Sequence, residues 1–149
     1  CAKSEKDIVL TKHEGTRVKL IDTDIAIDHF HGHRATLEYL TQALMEGEIL
    51  AMSVIGLMEI LAGMRQGEQE RTEKLFQLFT IVDVDEQIAR KAGEYLNQYR
   101  KSHRMEMADA IIAATAFVAE AELVTRNVQD YPMRDVKVVA PYERGNKIK

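Results

Sequence analysis

Apolar residues in this chain gather in short blocks that switch between two spacings, and the switches divide it into alternating strands and helices. Val18-Lys19-Leu20-Ile21 predicts a strand, and Thr23 or Asp24 is placed to cap the short helix that follows. Between His33 and Glu46, Leu37, Leu40, Leu44 and Met45 recur at helical spacing, and Gly47 stands where such a helix would close. Residues 49–54 form the next strand candidate, followed by an apolar helix over about 55–64. An amphipathic helix over 68–79 carries Leu75, Phe76, Leu78 and Phe79. Ile81-Val82-Asp83-Val84 predicts a third strand. Helices over about 86–100 and 106–121 come next, then short strands at 122–125 and 136–139. Strands that alternate with helices favour an α/β domain with a mainly parallel central sheet covered on both faces.

The blocks occupy residues 18–142. Residues 1–17 read as a polar N-terminal extension in which Ile8-Val9-Leu10 is a candidate edge strand, and 143–149 as a basic tail. A chain of 149 residues, 46% hydrophobic, can bury one core and is short for two domains. A formal charge of -4 leaves no global positive field, so any nucleic-acid contact must be local. Cys1 is the single cysteine, which rules out an intramolecular disulfide within this sequence. The longest weakly charged run, about 108–119, is too short to cross a bilayer, and no basic-then-apolar leader is visible. The expectation is a cytoplasmic protein with no membrane partner, and nothing is built on Cys1.

Three acids stand out against this pattern. Glu59 is the one charge between Val54 and Met64, and Asp109 the one charge between Met107 and Ala119. Asp22 ends a hydrophobic strand, where open α/β sheets form their binding crevice. A buried, unpartnered carboxylate costs about 3–5 kcal/mol, so each is expected to meet a cation or face a cleft. Taken singly, Asp22 reads as a helix cap, Asp109 as a first-turn anion and Glu59 as one half of an ion pair. Taken together, a shared divalent cation is the simpler account. Magnesium and manganese prefer oxygen ligands, which suits carboxylates without clustered cysteine or histidine.

Four blocks carry a family resemblance: Leu20-Ile21-Asp22-Thr23-Asp24, the segment Ser53 to Gly63 around Glu59, the segment Ala108 to Ala116 around Asp109, and Leu123 to Tyr131. In their order and spacing the chain resembles the PIN-domain ribonucleases, in particular the VapC-like toxins of toxin-antitoxin pairs, over about Val18 to Ala140. The resemblance implies a PIN-like three-layer sandwich with the acids at the C-terminal edge of its sheet. It also implies metal-dependent hydrolysis of RNA phosphodiesters, with Asp22, Glu59 and Asp109 as catalytic and metal-binding residues and Mg2+ or Mn2+ as cofactor. Two positions depart from the family pattern, which often has Asn or Ser at Asp24 and Asp at Asn127. The fourth metal position therefore lies open between Asn127 and Asp130, both of which also read as turn residues. Tyr131 stands where Phe is common, a change expected to be neutral.

A divalent ion activates water and neutralises phosphoryl charge, so such a cluster needs no protein nucleophile. Thr23 and Thr125 are candidate supports through their hydroxyls, or else caps and turn residues. RNA is polyanionic, so cations are needed around the acids. Arg100, Lys101, His103, Arg104 and Arg126 are the candidate phosphate contacts, although the run from Arg100 to Arg104 also fits a solvated helix end. His29, His31 and His33 alternate, but their helical or looped setting opposes a metal role. Met45, Met52, Met58, Met64, Met105 and Met107 read chiefly as core filler. The resulting expectation is an endoribonuclease toxin restrained by an antitoxin protein, and a homodimer with Leu75, Phe76 and Phe79 as its apolar surface. A housekeeping PIN nuclease and a non-catalytic metal- or RNA-binding module are the alternatives.

Overall fold

The computed structural model describes residues 16–142. The candidate strand at Ile8-Val9-Leu10, the basic tail and Cys1 lie outside the described residues. Five strands form one sheet in the order β3-β2-β1-β4-β5, and every pairing is parallel. They are β1 (Val18–Ile21), β2 (Ile49–Ser53), β3 (Thr80–Val82), β4 (Glu122–Val124) and β5 (Val138–Val139). Six helices connect them: α1 (Thr23–Phe30) and α2 (Arg34–Met45) after β1, α3 (Val54–Ala62) and α4 (Gln69–Phe76) after β2, and α5 (Glu86–His103) and α6 (Met107–Ala119) after β3. A 3-10 turn (Val128–Asp130) lies between β4 and β5.

Strand pleating sends successive side chains to opposite faces, and two cores result. Val18, Leu20, Ala51 and Leu123 join one core with Ile88, Ala92 and Tyr95 of α5 and Ala110, Ala113 and Ala114 of α6. Ile21, Leu50, Met52 and Val124 join the other with Ile25 of α1, Leu40 of α2, Ile60 of α3 and Leu75 of α4. The expected three-layer α/β arrangement is therefore present. Alanines at 110, 113, 114 and 116, each 1% exposed or less, keep α6 slim where it crosses the sheet. Among the described residues no helix is long and apolar enough to cross a membrane.

Strand order places the functional edge. The chain leaves β1 toward β2 on one side, and β4 later returns to β1's other side, so the topology switches between β1 and β4. Ligands bind outside the carboxyl ends of the strands at such a point. Asp22 follows β1 and Thr125 follows β4 there; the Asp22 amide donates to the Val124 carbonyl at 2.9 Å. Near the start of both strands the charges are paired. Lys19 and Lys137 each meet Glu122 at 2.8 Å, which holds the Glu122 carboxyl down at about 2.

Several expectations change. The cap of α1 is Asp22, whose side chain accepts from the Thr23 amide, rather than Thr23 or Asp24. Helix α5 runs on through His103 and ends at Arg104 in the left-handed conformation, so the Arg100 to Arg104 run belongs to its last turn. Leu75, Phe76 and Phe79 are at most 9% exposed and form the core beneath α4; they offer no dimer surface. The core-filler reading holds for Met52 and Met105, whereas Met45, Met58 and Met107 are 78%, 56% and 67% exposed. His29 lies within α1, while His31 and His33 are end caps of α1 and α2, and His33 Nδ1 accepts from the Thr36 amide.

Gly56 lets α3 pack closely on β2 and on the first turn of α1. A Cβ there would stand 3.0 Å from Met52 Cγ and 3.1 Å from Thr23 Oγ1. We predict that Gly56→Ala lowers stability by on the order of 1 kcal/mol, because overpacking against buried Met52 and Thr23 outweighs the better helix propensity of alanine. Urea unfolding measures it, and an unchanged or raised midpoint would contradict the close approach.

Candidate active site

Asp22 is the centre of the carboxyl edge. It is 8% exposed, and three donors hold it: the Thr23 amide at 2.7 Å on Oδ1, and the hydroxyls of Thr125 at 2.8 Å and Tyr131 at 2.9 Å on Oδ2. A carboxylate offers about four acceptor positions, so about one remains free, on Oδ1. Burial pushes the Asp22 carboxyl above its ordinary value despite these donors, and the nearby Glu59 charge adds to the rise.

Glu59 is tied to Asp22 through Thr23, whose amide meets Asp22 and whose hydroxyl meets Glu59, and Asp109 through the Tyr131 hydroxyl. Thr23 Oγ1 donates to Glu59 Oε1 at 2.7 Å, linking the end of β1 to α3. The Tyr131 hydroxyl, which donates to Asp22, also lies 3.5 Å from Asp109 Oδ1 on α6. Asp109 is half-buried and its carboxyl is raised to about 6, by desolvation first and then by the charges of Asp22, Asp130 and Glu106. Tyr131 is pushed well above its ordinary value by burial and by Asp22 and Asp109, so it stays a proton donor to them. The structure thus brings Asp22, Glu59 and Asp109 to one edge.

The burial argument for these acids holds unevenly. It describes Asp22 and partly Asp109, but Glu59 is exposed. The apolar run around Glu59 misleads because Met58 and Leu61 beside it are themselves exposed, at 56% and 40%. Thr23 and Thr125 do support the acids, each by donating to one of them. Tyr131 does more than fill space: the hydroxyl that a Phe would lack bridges two of the acids.

Around the open fourth position, Asn127 turns its Nδ2 to Asp24 Oδ2 at 3.0 Å. Asp130 is exposed on the 3-10 turn, near enough to raise Asp109. Asp24, in sequence a cap candidate and a departure from the family pattern, also has its carboxyl at this edge. Burial first, and then the Asp22 charge, raise it to about 6. Of the candidate phosphate contacts, Arg126 sits at the edge and donates from Nη1 to both oxygens of Asp28, at 2.9 and 3.1 Å. Arg100, Lys101, His103 and Arg104 are exposed at the end of α5, where His103 meets Tyr99 edge-on.

These residues fit a divalent cation in kind. The donors are carboxylate oxygens, several are held above their ordinary range by burial and by one another's charge, and Asp24 Oδ1 is buried with no hydrogen-bond partner. As they stand, no three acidic, histidine or cysteine side chains among the described residues are close enough to hold an ion. The Tyr131 hydroxyl stands between Asp22 and Asp109, and the Thr23 hydroxyl occupies one oxygen of Glu59.

A parallel three-layer sheet with carboxylates gathered at its switch point defines a class of acid-edged α/β domain. The family model described as PIN domain matches residues 19–136, and the chain belongs to the PIN-domain family. It is 42% identical over 117 residues to Ribonuclease VapC19 of Mycobacterium tuberculosis, spanning 78% of this chain and 94% of that protein. Among solved structures it resembles a chain of a toxin-antitoxin complex from Klebsiella pneumoniae, at 34% identity and TM-score 0.67, covering 84% of this chain and 98% of that one. A chain of VapBC2 from Rickettsia felis, solved bound to a promoter DNA fragment, shares the fold at TM-score 0.72 and 20% identity, over 85% and 99% of the two chains.

The raised carboxyls give a signed pH dependence. Asp24 and Asp109 move from 3.8 to about 6 on folding, so the folded chain holds their protons more tightly than the unfolded one. Their contribution to stability is full below about pH 4 and is lost as pH rises through about 6. Glu122, held at about 2, loses its own contribution only as pH falls below its ordinary 4.5. Without metal, the melting temperature should therefore fall between pH 4.5 and 7 more steeply in the wild type than in Asp109→Asn. Parallel profiles would show that Asp109 does not carry this load.

Proposed function

We propose that this protein is a divalent-metal-dependent endoribonuclease and the toxin of a toxin-antitoxin pair. The observation that carries the proposal is the gathering of Asp22, Glu59 and Asp109 at the sheet's switch point by Thr23, Thr125 and Tyr131. Membership of the PIN family and similarity to a named ribonuclease support the same reading. Asp22, Glu59 and Asp109 are the catalytic and metal-holding residues. Mg2+ and Mn2+ are the cations that suit an all-oxygen site.

When bound, the cation supplies Lewis acidity toward a phosphoryl oxygen and makes water acidic enough to attack at neutral pH. The chain's own residues set the geometry. The hydroxyls of Thr125 and Tyr131 fix Asp22, and Thr23 fixes one oxygen of Glu59 while leaving its other oxygen free to turn. Arg126, 40% exposed at the side chain and aligned by Asp28, is the phosphate contact nearest the acids. Exposed Arg100, Lys101 and Arg104 extend a basic surface along the substrate, which offsets the overall negative charge.

The partners are RNA and an antitoxin protein; similarity to a chain of a toxin-antitoxin complex supports the second. The exposed methionines Met45, Met58 and Met107 offer adaptable apolar contact for a protein partner or a second copy of the chain. A homodimer in the cytoplasm completes the proposal. Co-purification of a small partner separates a toxin from a housekeeping nuclease.

Asp22→Asn and Asp109→Asn should each lower RNA cleavage by on the order of 100-fold or more while leaving the protein folded, since each withdraws charge from the site. The assay uses mixed RNA with magnesium or manganese, with fragment ends sequenced to report the target. In thermal unfolding, magnesium at about ten times its dissociation constant should stabilise the wild type by about 1.4 kcal/mol, and Asp109→Asn less. Wild-type cleavage in either variant, or an equal magnesium shift, would remove that residue from the mechanism.

A further inference from the structure

Asp24 has a hydrogen-bonding arrangement that helix capping does not explain. Its Oδ2 takes the Asn127 amide nitrogen at 3.0 Å and the Arg126 backbone amide at 3.2 Å, with Thr125 Oγ1 at 3.4 Å. Its Oδ1 is buried with no hydrogen-bond partner. These donors converge on Oδ2 and leave Oδ1 buried without a partner, while the Ile25 backbone amide in the first turn of α1 also acts on the carboxyl. Arg126 does not account for that second oxygen. Its Nη1 is shared between both oxygens of Asp28, and the guanidinium's contact with Asp24 is 3.7 Å from Nε, again to Oδ2.

Thr125 puts Asp24 next to Asp22. Its single hydroxyl proton goes to the nearer acceptor, Asp22 Oδ2 at 2.8 Å, and Asp24 lies on the other side of the same oxygen. Asp24 therefore stands one hydroxyl away from the central acid. Asn127 faces Asp24 with its NH2 group, the orientation its chemistry requires, because a carbonyl oxygen turned to a carboxylate would repel it. Asn127 also donates its backbone amide to Thr125 Oγ1 at 3.0 Å, so it braces the hydroxyl that holds Asp22 as well.

We propose that Asp24 supplies the fourth carboxylate of the cation site, through its unpartnered Oδ1, and that Asn127 is the positioning residue that holds it there. This rests on the reading of Asp22, Glu59 and Asp109 as cation ligands and adds a member to that set. It also answers which side chain completes the site: neither Asn127 nor Asp130 directly, but the acid that Asn127 grips.

The test is Mn2+ binding to the full chain, followed by calorimetry and by the loss of the free-ion electron paramagnetic resonance signal, with no RNA present. Asp24→Asn, which keeps the shape, should weaken Mn2+ binding by at least about tenfold, as should Asp22→Asn. Exchanging the pair, as Asp24→Asn with Asn127→Asp, puts a carboxylate back across the same hydrogen bond and should restore most of the affinity. Asn127→Ala should weaken binding less than Asp24→Asn does. Melting in EDTA checks that each variant is folded. Wild-type affinity in Asp24→Asn, with Asp22→Asn impaired, would overturn the role of Asp24 alone. Wild-type affinity in Asp22→Asn would overturn the underlying cation site and this proposal with it. A larger loss in Asn127→Ala than in Asp24→Asn would make Asn127 the ligand.

Discussion

The structure depends on keeping a carboxylate, Asp22, out of water at the point where the sheet changes direction. Taking such a group from solvent costs several kcal/mol, and the chain offsets this with donors from three separate segments: the first turn of α1, the end of β4 and the residue after the 3-10 turn. Parallel pairing of β1 with β4 makes this possible, because the register Ile21 to Val124 brings Asp22 and Thr125 side by side. The donors do not neutralise the charge. Asp22, Asp24 and Asp109 all sit above their ordinary carboxyl range. Burial and mutual repulsion hold them there, and a positive charge bound among them, as the proposed function requires, would relieve both.

The distribution of charge over the sheet follows the same logic. Near the start of β1 and β4, Lys19, Lys137 and Glu122 satisfy one another, a structural ion-pair network joining neighbouring strands. At the carboxyl end, Arg126 is the cation beside the acids, and Asp28 already engages it. Arg126 is thereby aligned and yet partly exposed, a state suited to meeting a phosphate. On the proposed function, a protein of net charge -4 would bind RNA through such local cations flanking the acidic edge.

Much of this was legible in the sequence because polar residues interrupted clear hydrophobic periods. The α/β order was readable from short apolar blocks, and Asp22 and Asp109 from their placement at a strand end and in an alanine-rich helix. Glu59 was found for an incomplete reason: α3 carries apolar side chains on its exposed side too, so an apolar run did not mean burial. The same ambiguity misassigned Leu75, Phe76 and Phe79, which close a core, and the exposed methionines, which do not. What was not legible depends on contacts between residues about a hundred positions apart. Tyr131 is recognisable as a bridge only once its hydroxyl meets Asp22, and Asp24 and Asn127, two separate oddities in the sequence, turn out to be partners in one hydrogen bond. Single-residue patterns carry no information about such pairs.

In the proposed function these carboxylates surround one shared cation site. Anomalous diffraction from crystals of the protein grown with Mn2+ locates the ion directly, without relying on activity. A peak is expected at the carboxyl end of β1, within about 2.0–2.4 Å of oxygens from Asp22 and at least two of Glu59, Asp109 and Asp24. A peak placed elsewhere, or no peak at a concentration that supports cleavage, would contradict it.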